Sequence, residues 1–268
     1  MPWKDYDISA SRIKKHASCP EKYRLRYKAD KEPTKMRQGY GEIGSLVHEA
    51  IENVLTDRPN ETNQSALTSR LKQEFYELED SGEYDMDLID DRQRSDGLDC
   101  LEMAAKWLAK PDNDVEFRDI EAVCHYNLDG IDRTAIGFMD VATMDGIWDW
   151  KTGTIRGDET ERDEIIQGAV YMGGYHNEYG ELPKYIKFIY LKEEKVRTVT
   201  PGEEAWNEML GYARELVKSE QTDTYEADPE EGKCFWCGFE MWCSESAVSP
   251  GQIQAEIDSG RTEMWDAI

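Results

Sequence analysis

The sequence predicts a mixed α/β fold, α+β in organisation, in which a central mixed sheet is flanked by helices. Apolar residues recur at helical spacing over about 43–55. Asp129-Gly130 and Asp145-Gly146 each separate two apolar runs, a pattern that strongly predicts a hairpin turn. Helical spacing returns over about 162–178, and a further strand pattern follows it. A chain of 268 residues can bury one sizeable core.

Helices are predicted in the first part of the chain. Ser9 or Ser11 caps a first helix that ends before Cys19-Pro20, and a second helix runs from about Glu21 to Tyr27. Asn60–Asn63 is predicted to be a loop. The other predicted helices span about 43–55, 64–78, 98–109, 162–178 and 203–219.

Loops and strands complete the prediction. The acidic residues 79–97 are expected to form a mobile loop. The sequence Pro111-Asp112-Asn113-Asp114 is expected to end the helix predicted at about 98–109. Residues 247–268 have the composition of a polar tail with a short amphipathic piece. Strands are predicted at about 116–128, 132–143 and 146–151, which form a meander, and at 185–191 and 196–200, which pair with each other.

The second hairpin places three polar side chains together. If Asp145 and Gly146 form the loop, Asp140 lies directly opposite Lys151. Side chains alternate along a strand, so Asp149 shares the face of Lys151. Directly opposed side chains have Cβ atoms about 5 Å apart, so the three groups can form one site.

These residue types suit a site for cutting phosphodiester bonds. Mg²⁺ and Mn²⁺ prefer oxygen ligands, which Asp140 and Asp149 would supply. Lys151 would orient the attacking water, help to deprotonate it, or stabilise the transition state. The alternative interpretation is a polar hairpin with a cross-strand salt bridge.

Four motifs carry a family resemblance. They are Gly44-x-x-x-His48-x-x-x-Glu52, Gly137-x-x-Asp140, Asp149-Trp150-Lys151-Thr152-Gly153 and Gln167-x-x-x-Tyr171. In this order they resemble a RecB-type nuclease of the PD-(D/E)XK superfamily, which has a restriction-endonuclease-like core. The resemblance implies that His48 is a further metal ligand. It also implies that Gln167 and Tyr171 act in catalysis by holding the DNA strand near the site.

Each of these additional residues has a structural alternative. His48 lies at the edge of the apolar stripe of the 43–55 helix, where a histidine is often only packed or hydrogen-bonded. Gln167 and Tyr171 are four residues apart on a predicted helix, which is also ordinary helix packing. Glu121 on the first meander strand is either a further acidic residue of the site or a surface residue.

Three of the six cysteines, Cys234, Cys237 and Cys243, form a C-x2-C-x5-C cluster. Cys19 is the candidate fourth ligand. Such a set can bind Zn²⁺ or an iron–sulfur cluster. The layout resembles the iron–sulfur branch of the family, which includes AddB and the CRISPR-associated exonuclease numbered four. That resemblance implies a [4Fe–4S] cluster, with structural Zn²⁺ as the alternative.

The residues around the cysteines give further expectations. Aromatic residues interleave with the cluster and could form a dry shell around it. The isolated Cys100 and Cys124 are expected to be buried small hydrophobic residues. The aromatic residues are Phe235, Trp236, Phe239 and Trp242.

The domain organisation follows from these motifs. Residues 1–246 are expected to form a single nuclease domain, in which 1–40 and 230–246 make an iron–sulfur-stapled helical subdomain. Residues 247–268 would form the C-terminal tail. No run approaches the roughly 20 apolar residues that a membrane-spanning helix needs. The N-terminus does not resemble a secretory signal, so we expect a cytoplasmic protein.

The net charge of −25 opposes binding to a polyanion. However, residues 1–40 hold 11 Lys/Arg against 5 Asp/Glu, whereas the rest holds 21 against 52. Basic residues interleaved with tyrosines are typical of single-strand-binding surfaces, but also of a solvated helical face. The basic members are Arg12, Lys14, Lys15, Lys22, Arg24, Arg26 and Lys28.

The sequence therefore predicts a divalent-metal-dependent deoxyribonuclease. The resemblance implies an exonuclease that acts on single-stranded DNA or on free DNA ends, in recombination and repair, CRISPR adaptation or viral DNA processing. A helicase, a CRISPR adaptation complex or a recombination complex would be its partner, and no membrane would be involved. The alternative is a catalytically silent metal-cluster module for DNA binding or assembly.

Overall fold

A mixed sheet organises the part of the chain that the computed structural model describes, which is residues 7–57, 61–200 and 202–258. Six strands form this sheet within the described residues. They are β1 (Asp7–Ser9), β2 (Phe117–Asn127), β3 (Thr134–Thr143), β4 (Gly146–Lys151), β5 (Tyr185–Tyr190) and β6 (Lys195–Val199). The predicted mixed α/β fold with flanking helices is confirmed.

The helices follow the predicted order with altered ends. They are α1 (Ala10–Ser18), α2 (Pro20–Tyr27), α3 (Lys35–Asp57), α4 (Gln64–Ser81), α5 (Asp91–Leu108), α6 (Gly157–Tyr179), α7 (Glu203–Thr222), α8 (Glu231–Phe235) and α9 (Pro250–Asp258). Ser9 caps α1, because its side chain accepts a hydrogen bond from the Arg12 amide at 3.2 Å. The predicted tail contains α9 up to residue 258, and its residues 259–268 lie outside the described part.

Strand β3 lies at the centre of the sheet. It pairs antiparallel with β2 along its length, antiparallel with β4 near its C-terminal end and parallel with β1 at its N-terminal end. Strands β4 and β5 are parallel, so a crossover is required between them, and α6 supplies it. Strand β6 returns antiparallel to β5. The predicted β2–β3–β4 meander is confirmed.

Two helical layers cover the sheet. Helices α3, α4 and α5 pack with Trp148 and Trp150 of β4 in one core. Helices α1, α6 and α7 form a second core around Ile13, Ile166 and Leu210. Burial of these apolar surfaces is the main stabilising contribution to the fold, and it fixes where the ends of β3 and β4 lie.

The loop predicted at 79–97 is shorter in the structure, where residues 82–90 separate α4 from α5. Helix α4 continues to Ser81 and ends at Gly82, which adopts the left-handed conformation with φ 78°. Helix α5 then begins at Asp91, after Asp90 and Gln93 form a reciprocal capping box. The prediction missed both helix ends because the acidic composition of the segment is typical of a loop.

The predicted register of the second hairpin is also wrong. Val141 pairs with Trp148, which aligns Asp140 with Asp149 and not with Lys151. The two-residue loop is Met144-Asp145, because the Thr143 hydroxyl accepts a hydrogen bond from the Gly146 amide at 2.9 Å and closes the turn one residue early. Asp149 and Lys151 share a face in any register, because they are two residues apart on β4. A register shift of two residues also leaves the faces of side chains on β3 and β4 matched as predicted.

The first hairpin differs from its prediction in loop length. Asn127 pairs with Thr134, so six residues, 128–133, connect β2 to β3 instead of Asp129-Gly130 alone. Strand β1 was not predicted, because three residues carry too little pattern to identify a strand. It places the start of α1 directly beside β3.

Candidate active site

Three side chains from separate elements converge beside the central strand β3. They are His48 of α3, Glu121 of β2 and Asp140 of β3, and their ligand atoms all lie within 4.8 Å of one another. In the part of the chain that the structure describes, this is the one such group of three histidine, cysteine or acidic side chains. Its mixture of one imidazole and two carboxylates suits a divalent cation.

Glu121 reaches the group through an unusual backbone conformation. Its φ is +52°, in the left-handed region that residues with a side chain rarely adopt. The neighbouring pairs, Ile120 with Val141 and Ala122 with Met139, set Glu121 opposite Asp140. A strained residue held in this way often marks a functional site. Sequence alone suggested Glu121 only as one of two alternatives, and its backbone conformation is what places it in the group.

His48 is positioned by the close approach of α3 to the end of β4. A Cβ added to Gly44 would lie 3.2 Å from Thr152 Oγ1, so a side chain there would crowd the contact. One turn further along α3, His48 Nδ1 lies 3.4 Å from Asp140 Oδ2. Glu52, a further turn along, lines the same cleft, which has a volume of about 650 Å³.

Asp140 is anchored by the neighbouring strand. Its Oδ2 accepts a hydrogen bond from the backbone amide of Trp150 at 2.6 Å. The carboxylate is only 8% exposed, so this bond holds it in one orientation at the base of the cleft. The predicted juxtaposition of Asp140 with the Asp149–Lys151 strand is therefore present, although the register differs.

Asp149 lies behind the group of three and is 1% exposed. Its Oδ1 accepts hydrogen bonds from Gln167 Nε2 at 2.8 Å and Tyr171 Oη at 2.7 Å. Its Oδ2 lies 2.5 Å from Lys151 Nζ. The buried Asp149 and the partly exposed Lys151 thus form an ion pair at the edge of the cleft.

Gln167 and Tyr171 were expected to hold a DNA strand. In the structure both side chains are buried, and they donate hydrogen bonds to Asp149. Gln167 Oε1 also accepts a hydrogen bond from Lys151 Nζ at 2.8 Å. These contacts favour a positioning role over direct contact with a substrate.

Lys14 of α1 is a further member of the site. Its Nζ donates a hydrogen bond to Gln167 Oε1 at 2.8 Å, the same oxygen that Lys151 contacts. Burial and the neighbouring Lys151 lower the pKa of Lys14 to about 8. Sequence reasoning placed Lys14 only in the basic segment, because nothing in the local pattern connects it to Gln167.

The carboxylates of the site repel one another. Burial, with the charges of Asp140 and Glu52, raises the pKa of Glu121 to about 7. Burial also raises the pKa of Asp149. For His48, burial alone would lower the pKa, but the Asp140 carboxylate outweighs it and the pKa is raised. A bound cation would relieve this excess of negative charge.

The four predicted cofactor cysteines lie together, although they come from opposite ends of the described chain. Cys19, Cys234, Cys237 and Cys243 line one small cavity of about 20 Å³. Backbone amides approach two of the sulfurs: Asp228 N lies 3.4 Å from Cys19 Sγ, and Ala247 N lies 3.5 Å from Cys234 Sγ. All four are free cysteines.

The expected dry aromatic shell is only partly present. Phe235 and Phe239 are buried, whereas Trp242 is 50% exposed and Trp236 is half-buried. The expectation that Cys100 and Cys124 are buried is confirmed.

Comparison with known proteins shows the family. The family model described as the PD-(D/E)XK nuclease superfamily matches residues 7–244, and the chain belongs to this superfamily. No match was found among curated proteins. None of the helices in the described residues is long and apolar enough to cross a bilayer.

Two solved structures are similar at low sequence identity. One is a protein from Eubacterium rectale that is named only provisionally as an exonuclease, with 14% identity and a TM-score of 0.49, covering 83% of this chain and 84% of that one. The other is the protein SSO0001, with 10% identity and a TM-score of 0.44, covering 92% of this chain and 90% of that one.

Proposed function

We propose that the protein is a divalent-metal-dependent deoxyribonuclease that hydrolyses phosphodiester bonds. The observation that carries the proposal is the convergence of His48, Glu121 and Asp140 within 4.8 Å, beside the Asp149–Lys151 pair. Membership of the nuclease superfamily supports the reaction class.

The donor set fits Mg²⁺ or Mn²⁺. We assign His48, Asp140 and Asp149 as metal-holding residues, as the sequence motifs predict, and add Glu121 on the basis of its position. When bound, the cation lowers the pKa of a water molecule and neutralises charge that develops on the phosphate. The imidazole favours Mn²⁺ over Mg²⁺, because Mg²⁺ prefers an all-oxygen set.

The remaining residues orient the reaction. Lys151 Nζ is held 2.5 Å from Asp149 Oδ2 and 2.8 Å from Gln167 Oε1, so its position in the cleft is fixed before a substrate arrives. There the ammonium would orient the attacking water and offset negative charge on the phosphate. Gln167 and Tyr171 would keep the Asp149 carboxylate in place through their two hydrogen bonds.

We further propose that the substrate is single-stranded DNA with a free end and that the enzyme acts as an exonuclease. The support is the resemblance of the motifs to RecB-type nucleases. That resemblance also suggests a role in DNA recombination or repair, CRISPR adaptation or viral DNA processing, with a helicase or one of these complexes as partner.

We propose that the four cysteines hold a [4Fe–4S] cluster and join the N-terminal helices to the 230–246 segment. The support is the resemblance of the cysteine layout to the iron–sulfur branch of the family, together with the position of all four cysteines around one small cavity. Structural Zn²⁺ is the alternative.

The activity is tested with end-labelled single-stranded DNA and Mn²⁺, comparing wild type with Lys151→Ala. We expect the wild type to shorten linear DNA from an end and to leave circular single strands intact. Lys151→Ala should lower the rate by at least about 100-fold, because a charged group beside the reacting phosphate is lost.

The matched control is Lys184→Ala, since Lys184 pairs only with the exposed Asp145 in the hairpin turn. Equal activity of wild type and Lys151→Ala would contradict the assignment. Measurable DNA binding without cleavage by wild type would instead favour the catalytically silent binding module.

The cysteine cofactor is tested by anaerobic purification and an absorbance scan. We expect brown wild-type protein with broad visible absorption. Cys19→Ser should lose that absorption, whereas Cys100→Ser, at a buried cysteine outside the cavity, should keep it. Colourless wild-type protein that contains stoichiometric zinc would contradict the iron–sulfur proposal.

A further inference from the structure

A cationic groove begins at the candidate active site and ends at Trp236, in the segment between Cys234 and Cys237. We propose that this groove is the track along which a single nucleic-acid strand reaches the metal site, with Trp236 as a stacking platform for its bases. The proposal rests on the proposed nuclease function and names the form of substrate that the site receives.

The groove is continuous with the active-site cleft. Thr152 and Gly153 line both the cleft and a smaller neighbouring cavity of about 140 Å³. Arg156 and Trp236 line that cavity and also the next groove, which has a volume of about 500 Å³. A strand lying along this path would therefore run from the catalytic groups to the cysteine segment.

The charge of the groove is opposite to that of the molecule. Seven Lys and Arg side chains and three carboxylates line the two cavities, whereas the whole chain carries a net charge of −25. Such a concentration of cations in an acidic protein has a specific electrostatic consequence: it attracts a polyanion to this path and away from the remaining surface.

The basic N-terminal segment divides into two groups. Arg24 pairs with Glu21 and Lys28 pairs with Glu220, each at 2.7 Å, so these cations support the fold. Lys15 and Lys22 line the groove instead. Burial and the adjacent cations Lys22 and Arg26 lower the pKa of Lys15 to about 8, as expected where positive charges are crowded together. An incoming phosphate would relieve that repulsion.

Trp236 indicates that the strand is unpaired. The ring is half-buried, with the guanidinium carbons of Arg37 and Arg156 at 4.3 Å and 5.3 Å from its centre. Unpaired bases stack on aromatic rings and on guanidinium planes, and this recognition tolerates any base sequence. The bases of a duplex are already stacked on one another and cannot use such a platform.

The experiment measures binding of a labelled single-stranded oligonucleotide and of a labelled blunt hairpin by fluorescence anisotropy, with no divalent metal added and over a range of KCl concentrations. Trp236→Ala should weaken single-strand binding by roughly 5- to 150-fold, with a smaller effect on the hairpin. Trp236→Phe should restore most of the affinity, because a phenyl ring still stacks.

Charge variants test the groove without changing Trp236. Lys22→Gln and Arg156→Gln should each reduce the slope of log affinity against log salt concentration by about 0.7. The controls are Trp242→Ala, at an exposed tryptophan between Cys237 and Cys243, and Lys28→Gln, at a cation of the N-terminal helical region that pairs with Glu220. Both controls should bind as wild type does.

The outcomes separate this proposal from the proposed function. Wild-type affinity and salt slope in all three groove variants would overturn the track, even if the wild type cleaves DNA. An equal loss of hairpin and single-strand affinity in Trp236→Ala would overturn the preference for an unpaired strand. Failure of the wild type to cleave DNA would remove the proposed function, but the binding measurement would still report on the groove.

Discussion

At the scale of single residues, the candidate metal site brings together carboxylates that repel each other. Glu121 and Asp140 lie opposite each other on neighbouring strands, close enough to share one ion with His48. Without a cation these carboxylates repel each other, and burial strengthens the repulsion. The fold therefore accepts a local loss of stability in order to present a site with high affinity for a divalent cation.

Glu121→Gln should stabilise the metal-free protein. It should also abolish the metal-dependent nuclease activity. The pKa of Glu121 is raised from 4.5 to about 7, so its stabilising contribution is present below pH 4.5 and is lost as pH rises through about 7. Above pH 7 the variant should gain about 1–3 kcal/mol in the free energy of unfolding, and below pH 4.5 the two proteins should converge. Urea unfolding of metal-free protein across pH checks this, and a variant that is less stable above pH 7 would contradict it.

Lys14 should contribute to the rate through its charge. Lys14→Met keeps the alkyl stem but removes the second ammonium at Gln167 Oε1, so we expect the turnover rate to fall on the order of 10- to 100-fold. Lys218→Met, at an exposed position on α7, is the control.

The pH profile distinguishes this charge from a packing role. The pKa of Lys14 is about 8, so wild-type activity should decline as pH rises through that value. Lys14→Arg should keep its activity at higher pH, because a guanidinium stays protonated. Identical alkaline limbs in the wild type and Lys14→Arg would refute the role of this charge.

Some site residues could be predicted from sequence and others could not. The shared face of Asp149 and Lys151 could be predicted because the two residues are two apart on one strand, so it does not depend on the pairing register. The positioning role of Gln167 depends on contacts with Asp149, Lys151 and Lys14, which come from three other parts of the chain. No local pattern contains such long-range contacts.

At the scale of elements, the position of α6 decides whether the site is formed, since α6 carries both Gln167 and Tyr171. Helix and sheet approach closely at Cys124 of β2, which lies between Gly137 of β3 and Gly174 of α6. A Cβ on either glycine would collide with the Cys124 side chain. The glycine of the Gly137-x-x-Asp140 motif thus has a packing role.

Gly174→Ala should destabilise the protein, because its methyl group would overlap with Cys124 Cβ and push α6 away from the sheet. We expect a loss of about 1–3 kcal/mol in the free energy of unfolding. Gly211→Ala on α7 is the matched control: nothing lies within 4 Å of its added Cβ, so helix propensity should stabilise it by about 0.5–1 kcal/mol. Urea melts of both variants should change in opposite directions, and a neutral Gly174→Ala would contradict the packing argument.

Elements with strong local signals were predictable, whereas those defined by distant contacts were not. The Asp90-x-x-Gln93 capping box and the helix-ending Gly82 are visible in the sequence. The acidic composition of 79–97 instead favours a loop, so the two kinds of signal disagree over this segment. Strand β1 has only three residues and exists because β3 offers it a parallel edge. Its detection required knowledge of the sheet.

At the scale of the whole molecule, the net charge of −25 opposes both folding and the binding of DNA. Repulsion among 57 acidic side chains, against 32 basic ones, opposes compaction of the chain. The cationic groove provides a local attraction for DNA within this negative field. Salt screens both interactions, since exposed charges interact weakly beyond a Debye length of about 8 Å at physiological ionic strength.

Raising the KCl concentration should therefore stabilise the fold and weaken DNA binding in the same concentration range. Screening reduces self-repulsion, so the free energy of unfolding in urea should increase with KCl. Affinity for a single strand should fall, because the counterions that binding releases from the DNA enter a more concentrated salt solution and their release contributes less free energy. Chloride is the appropriate anion for both measurements, since sulfate would also strengthen apolar burial and obscure the electrostatic effect. A fall in stability with KCl would mean that the native ion pairs stabilise the fold by more than the repulsion among excess negative charges destabilises it. Lys28–Glu220 and Arg197–Glu164 are two such pairs. The acidic composition would then be compatible with low salt.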